Sequence, residues 1–218
     1  SGALRYPTPF FILSQFLGIS VIMPAAWLPA FSIGRGSGAV SAARAYASAA
    51  LALPFAALTV ALFTLDTTTY AWTFVAGTVG GPAVGCTSLL LWRMRPPDNP
   101  TQEELAAGAT ALSRAYASAG AVAFVGYAVN VHLAAQAFGT AGSALEALWA
   151  KAHPAVAFMT IDFVVLYLGL LLVIVQRRTA DTLLAIVATP LVGPGAACAL
   201  VLSRCEAGVA SGERRKAE

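Results

Sequence analysis

Long apolar runs recur along this chain at the length of a bilayer crossing, and no other feature limits its folding so tightly. Runs of about 20 predominantly apolar residues fall at residues 9–31, 46–65, 70–92, 112–138, 154–175 and 183–203. In hydrocarbon every backbone N–H and C=O needs a partner within the protein, so such runs are helical. Composition agrees. Of 218 residues, 58% are hydrophobic and 11% are charged, against about 25% charged in an ordinary soluble domain. The mean hydropathy is +0.75. The expected fold is therefore all-α, a polytopic transmembrane bundle of about six spans. It forms a single domain over residues 1–208, followed by a solvated tail at 209–218. The first run is not expected to be a secretory signal, because it has one nearby basic residue, Arg5, and no clear cleavage pattern.

The net charge is only +3, and the basic residues fall mostly between apolar runs. No basic face alternates with aromatics, which argues against a nucleic-acid partner; the lipid bilayer is the partner these runs imply. The connection "RMRPPDNPTQEELAAG" has the turn chemistry of a surface loop and an acidic helix start. "SALEALWAKAH" is too short and mixed to cross, and is expected at the membrane interface. With the N-terminus on side A, six crossings return the C-terminus to side A. Side B then carries Arg35, Arg44, Arg93, Arg95, Arg114, Arg177 and Arg178. Side A carries Arg5, Lys151 and Arg204, then the tail's Arg214, Arg215 and Lys216. Counted on the loops alone, side B is cytoplasmic.

Cys86, Cys198 and Cys205 show no zinc or haem spacing and read as small buried residues. No metal or cofactor is expected. "RAYASA" occurs at 44–49 and 114–119, each time entering a helix from side B. "GPAVGC" (81–86) resembles "GPGAAC" (193–198), in runs of opposite direction. The two pairs cannot come from one duplication, and shared helix-packing needs explain them as well. Pro82 and Pro194 each remove a backbone hydrogen bond, which bends the packing or widens a cavity.

One residue breaks the apolar pattern at depth. Asp162 lies in the run 154–175, roughly 12 Å below its start at about 1.5 Å per residue. A charge at the centre of a span costs about 3 kcal/mol on insertion scales. No Lys or Arg is expected at that depth, so desolvation favours the neutral acid, a hydrogen-bond donor and Brønsted acid. Gln15, Trp72, Asn130 and His132 fall at comparable depth, which suggests a polar-floored pocket in the side-A half. Asn130 and His132 are about 200° apart on a regular helix, so only one points readily at Asp162. A helix–helix hydrogen bond is the alternative role for all three. Phe16, Tyr127 and Phe158 are among the aromatics of these runs; they serve packing or an interfacial belt, or present π-faces to a cation.

The stretch "FFILSQFLGISVIMPAAWLPAF", together with "IDF" in a late span that ends in "RR", resembles small integral-membrane proteins of fungal terpenoid gene clusters. That group includes membrane terpene cyclases, which are associated with two essential acidic residues. Asp162 matches one of them. The aromatic-flanked Glu of an early helix is absent, and Asp66, at a helix end, is its nearest counterpart. The resemblance implies an endoplasmic reticulum membrane protein that cyclises a prenylated or epoxidised isoprenoid-type molecule without metal. Asp162 would be the proton donor, Asn130 or His132 would orient it, and Gln15, Phe16, Trp72, Tyr127 and Phe158 would line the substrate site. No DDxxD-like cluster for magnesium-assisted diphosphate ionisation is present. Two other functions fit the same residues. One is a proton-coupled carrier or channel that loads Asp162 and hinges at Pro82 and Pro194. The other is a non-catalytic assembly subunit that binds partner helices through small-residue faces.

Overall fold

A computed structural model describes residues 29, 40–50, 100–149, 154–176 and 179–211. The expected spans 9–31 and 70–92 lie outside the described residues, apart from Pro29, as do Gln15, Phe16, Asp66, Trp72, Pro82 and Cys86. Among the described residues every regular element is a helix and none is a strand. The all-α class expected from the apolar runs is what the chain adopts.

Helix α1 begins at residue 42 and is described to residue 50. Ser41 caps it, its Oγ accepting from the Arg44 N–H at 3.2 Å. Helix α2, Gln102–Phe138, is 37 residues long. It starts at Gln102 rather than at Leu112 because a capping box closes its first turn. The Thr101 N–H donates to Glu104 Oε2 at 2.7 Å, and the Glu104 N–H donates to Thr101 Oγ1 at 3.3 Å. The Ala-rich, proline-free sequence then propagates the helix. It stops where Gly139 takes a left-handed φ of 69°. Helix α3, Ala141–Trp149, follows at once, capped by Thr140, whose Oγ1 accepts from the Ser143 N–H at 3.1 Å.

Helix α4, Pro154–Val175, has the bounds expected from its apolar run, with proline where a missing N–H costs nothing. Helices α5, Thr179–Val192, and α6, Pro194–Ala210, divide the run expected as a sixth span. The break is Gly193, at φ 84° and ψ 154°, conformations that residues with a Cβ rarely adopt, followed by a proline without an N–H. At about 1.5 Å per residue, α5 and α6 are about 21 and 25 Å long, each short of a hydrocarbon core of about 30 Å. Helix α6 also takes up Val209 and Ala210, which the sequence assigns to the tail, and Ser211 caps it.

The chain forms two compact units, residues 1–36 with 126–182 and residues 37–125 with 183–218. In the first, α3 packs against α4. In the second, α1 and α2 run in the same direction. The Val40 carbonyl lies against Gly108, and the Arg114 guanidinium donates to the Tyr46 hydroxyl at 3.2 Å. The two "RAYASA" copies are thus parallel, as expected. Helices α2 and α6 are antiparallel, packed through small residues. Ser203 Oγ donates to the Ser113 carbonyl at 2.8 Å, and the two hydroxyls lie 3.1 Å apart. A Cβ on Gly120 would lie 3.4 Å from Ala199 Cβ, and one on Gly195 would lie 3.4 Å from Ala123 Cβ. Moving up α2 from 113 to 123 therefore means moving down α6 from 203 to 195. Six crossings would place the fourth and sixth runs parallel, whereas α2 and the second helix of the sixth run are antiparallel.

Among the described residues, two helices are long and apolar enough to cross a membrane: Gln102–Phe138, and Val156–Val175 within α4.

Candidate functional site

Helix α4 is apolar on all sides, yet its burial is not uniform. Ile161, Val164, Leu168, Leu172 and Val175 are exposed and share one side of the helix. Asp162, Leu166, Gly169 and Val173, spaced four, three and four apart, form a stripe on the other. Asp162 and Leu166 are half-buried, and Gly169 and Val173 are buried. The half-buried Asp162 is therefore in line with the buried positions of the second half of the helix, between the exposed Phe158 and Phe163, and it takes part in an interaction within the chain. Phe158, a turn earlier, is 52% exposed.

Asn130 and His132 occupy the C-terminal part of α2, in the same unit as Asp162. Both are exposed. Each is held by its own helix: Asn130 Nδ2 donates to the Gly126 carbonyl at 2.8 Å, and His132 Nε2 pairs with Gln136 Nε2 at 3.1 Å. Tyr127 is half-buried on the Asn130 side of the helix. The remaining expected site residues, Gln15, Phe16 and Trp72, lie outside the described residues.

Sequence reasoning passed over three buried polar residues. Asp181 is 7% exposed, Glu206 is 7% exposed, and Thr182 is also buried. Asp181 and Thr182 sit in the first turn of α5, where an acid suits the positive end of the helix dipole. Glu206 lies three residues beyond Ser203, on the face of α6 that meets α2. All have partners within the protein. Among the described residues no buried side-chain oxygen or nitrogen lacks a hydrogen bond, and no cluster of His, Cys, Asp and Glu could hold a metal ion. Cys198 and Cys205 are buried free thiols two turns apart on one side of α6, as their structural role requires.

The chain matches no family model, no curated protein and no solved structure. The arrangement itself presents one carboxyl among apolar and aromatic side chains on a helix of membrane length. Such a group can donate a proton, accept one, or hold a hydrogen bond, and it is poorly suited to binding a cation alone.

Proposed function

We propose that the chain is a multi-pass membrane enzyme in which Asp162 donates a proton to a lipid-soluble, isoprenoid-type substrate and so initiates cyclisation. The observation that supports this reading is a lone, half-buried carboxyl, Asp162, eight residues into the apolar helix α4 and beside the aromatic side chains Phe158 and Phe163. The acid form of the carboxyl transfers its proton to an epoxide oxygen or an alkene carbon. The resulting cation is captured by a neighbouring alkene, and loss of a proton to water or to the Asp162 carboxylate ends the sequence, so the net change is an isomerisation. Aromatic faces, Phe158 and Tyr127 among them, stabilise the developing charge. Asn130 or His132, held on α2 by Gly126 and Gln136, orients the acid. The resemblance to fungal membrane cyclases implies the endoplasmic reticulum membrane.

The proposal includes a number of crossings. A chain that crosses with α2 and returns with α4 reaches side B at Arg177 and Arg178. Helix α6 descends toward the end of α2 that bears Arg114. In this reading α5 carries the chain back across as a separate pass, one shorter than the hydrocarbon core. This changes the six-span scheme to one with the C-terminus on side B. Arg204 joins the seven arginines already assigned there, against Arg5 and Lys151 on side A. The charge bias that marks a cytoplasmic face becomes stronger than six crossings allow.

The test pairs turnover with stability. Purified protein is given prenylated epoxides in detergent, and the cyclised product is followed for wild type and Asp162→Asn. Loss of general-acid catalysis removes about 10²- to 10⁴-fold in rate. The altered helix contact costs only about 0.6–2 kcal/mol. A folded variant with full turnover would return Asp162 to packing. The break at Gly193 supports a second reading, a proton-coupled carrier, since discontinuous helices build transporter sites. Substrate uptake into liposomes that requires a proton gradient, without chemical change, would favour it.

A further inference from the structure

Helix α3 is nine residues long, about 13 Å at about 1.5 Å per residue, so it cannot cross a bilayer. Its start is fixed and it has a packing partner. Gly139 turns the chain sharply out of α2, the Thr140 hydroxyl caps the new helix, and α3 packs against α4. Its less exposed positions are the small residues Ala144 and Ala147. Its large apolar side chains are the exposed ones. Leu145 is 66% exposed, Leu148 45% and Trp149 68%. Spacings of three and four place these three on one stripe, while the single acid of the helix, Glu146, is about 100° away from Leu145. A helix in water does not leave its two leucines and its only tryptophan uncovered on one side.

We infer that the Leu145–Leu148–Trp149 stripe is a membrane-interface anchor that lies on the lipid headgroup–acyl boundary at the N-terminal end of α4. This rests on the reading of α4 as a span. Helix α4, against which α3 packs, also exposes apolar side chains in its first turns: Val156, Phe158 and Ile161. One occupant that covers both is the bilayer, entered at a shallow angle by α3 and crossed by α4. Tryptophan suits this boundary, with an apolar ring system and one N–H that reaches water or headgroup oxygen. The next ionisable residues in sequence are Lys151 and His153, the charge type that anionic headgroups attract. The anchor sets a depth. With Trp149 at the boundary and α4 starting at Pro154, Asp162 lies roughly 12 Å along the span, below the headgroups and above the midplane.

The experiment uses the full chain with Trp27, Trp72 and Trp92 changed to Phe, so that Trp149 alone fluoresces, reconstituted in phosphatidylcholine vesicles. Lipids brominated near the carbonyl end, at mid-chain and near the chain end are compared, with aqueous iodide as the fourth quencher. Strongest quenching by the shallow bromolipid is the expected result. Strongest quenching by iodide places α3 in water and overturns the inference. So does quenching by neither class, which means that protein, such as a second copy, covers the stripe. So does preferential quenching at the chain end. A companion chain carries Phe163→Trp with Trp149→Phe. Deep quenching there with none at Trp149 defeats the anchor alone, whereas no lipid quenching at either site defeats the span. Should the substitutions prevent folding, hydroxyl-radical footprinting of the unaltered chain, one copy per nanodisc, reads the same contact. Protection of Leu145, Leu148 and Trp149 with Glu146 reactive supports the anchor, and equal reactivity of all four overturns it.

Discussion

Gly108→Ala isolates the close approach that sets α1 beside α2. A Cβ at this position would overlap the Val40 carbonyl oxygen, a backbone atom that cannot rotate away. Relief requires the Val40 segment to move bodily and to disturb the start of α1, which is fixed by the Ser41 cap. Overpacking of this kind costs about 1–3 kcal/mol, and a rigid backbone obstacle belongs at the upper end. Alanine recovers about 1 kcal/mol of helix propensity, so the net loss is about 2 kcal/mol. Gly120→Ala is the matched control on the same helix. There the added methyl meets Ala199 Cβ and Leu200 Cγ at 3.4 Å, the near edge of ordinary contact, so the propensity gain is largely retained. For a chain of this size 1 kcal/mol shifts the melting temperature by about 2–4 °C. Thermal unfolding in detergent should therefore show Gly108→Ala lowered by about 4–8 °C, and Gly120→Ala unchanged or slightly raised. Equal melting temperatures for the two variants would refute the packing of Val40 on α2.

Three further outcomes follow. Gly193→Ala should lower stability by about 1–3 kcal/mol, because φ 84° with ψ 154° is nearly restricted to glycine. Gly208→Ala, in a helix with nothing within 4 Å of the added carbon, should be neutral or stabilising in the same melt. A thiol-reactive polymer applied to sealed vesicles should label cysteines placed at Ser1 and Glu218 from opposite sides; labelling from the same side would remove α5 as a separate pass.

Helix α4 was legible in the sequence because an unbroken apolar run begins at a proline and ends at Gln176, so composition and helix boundary coincide. The beginning of α2 was not, since hydropathy rises only near Leu112 while the helix is nucleated by the Thr101–Glu104 pair, a polar signal at Gln102. The sixth run was misjudged for a related reason. Hydropathy averages over some 20 residues, and one backbone angle at Gly193 leaves no trace in that average. The direction of α6 was equally hidden: glycine, alanine and serine faces fit together parallel or antiparallel, and the Ser113–Ser203 pair joins residues 90 apart. Within the site, the lone acid declared itself. The surroundings of Asn130 and His132 did not, because depth counting says nothing about whether a side chain finds its partner on its own helix.

Three acids are covered by this fold to differing degrees, and they differ in where they stand on their helices. Asp181 is buried in the first turn of α5, where unsatisfied N–H groups and the helix dipole favour a negative charge. Glu206 stands one turn past Ser203 on the face of α6 that meets α2, and it is engaged within the chain. Asp162 is engaged as well, but it has no helix terminus beside it. It is eight residues into a 22-residue apolar helix, beyond the reach of the terminal dipole and far from either boundary. Asparagine or serine would supply a hydrogen bond at that position without an ionisable group. Under the proposed function, what a carboxyl adds at that position is a proton to donate.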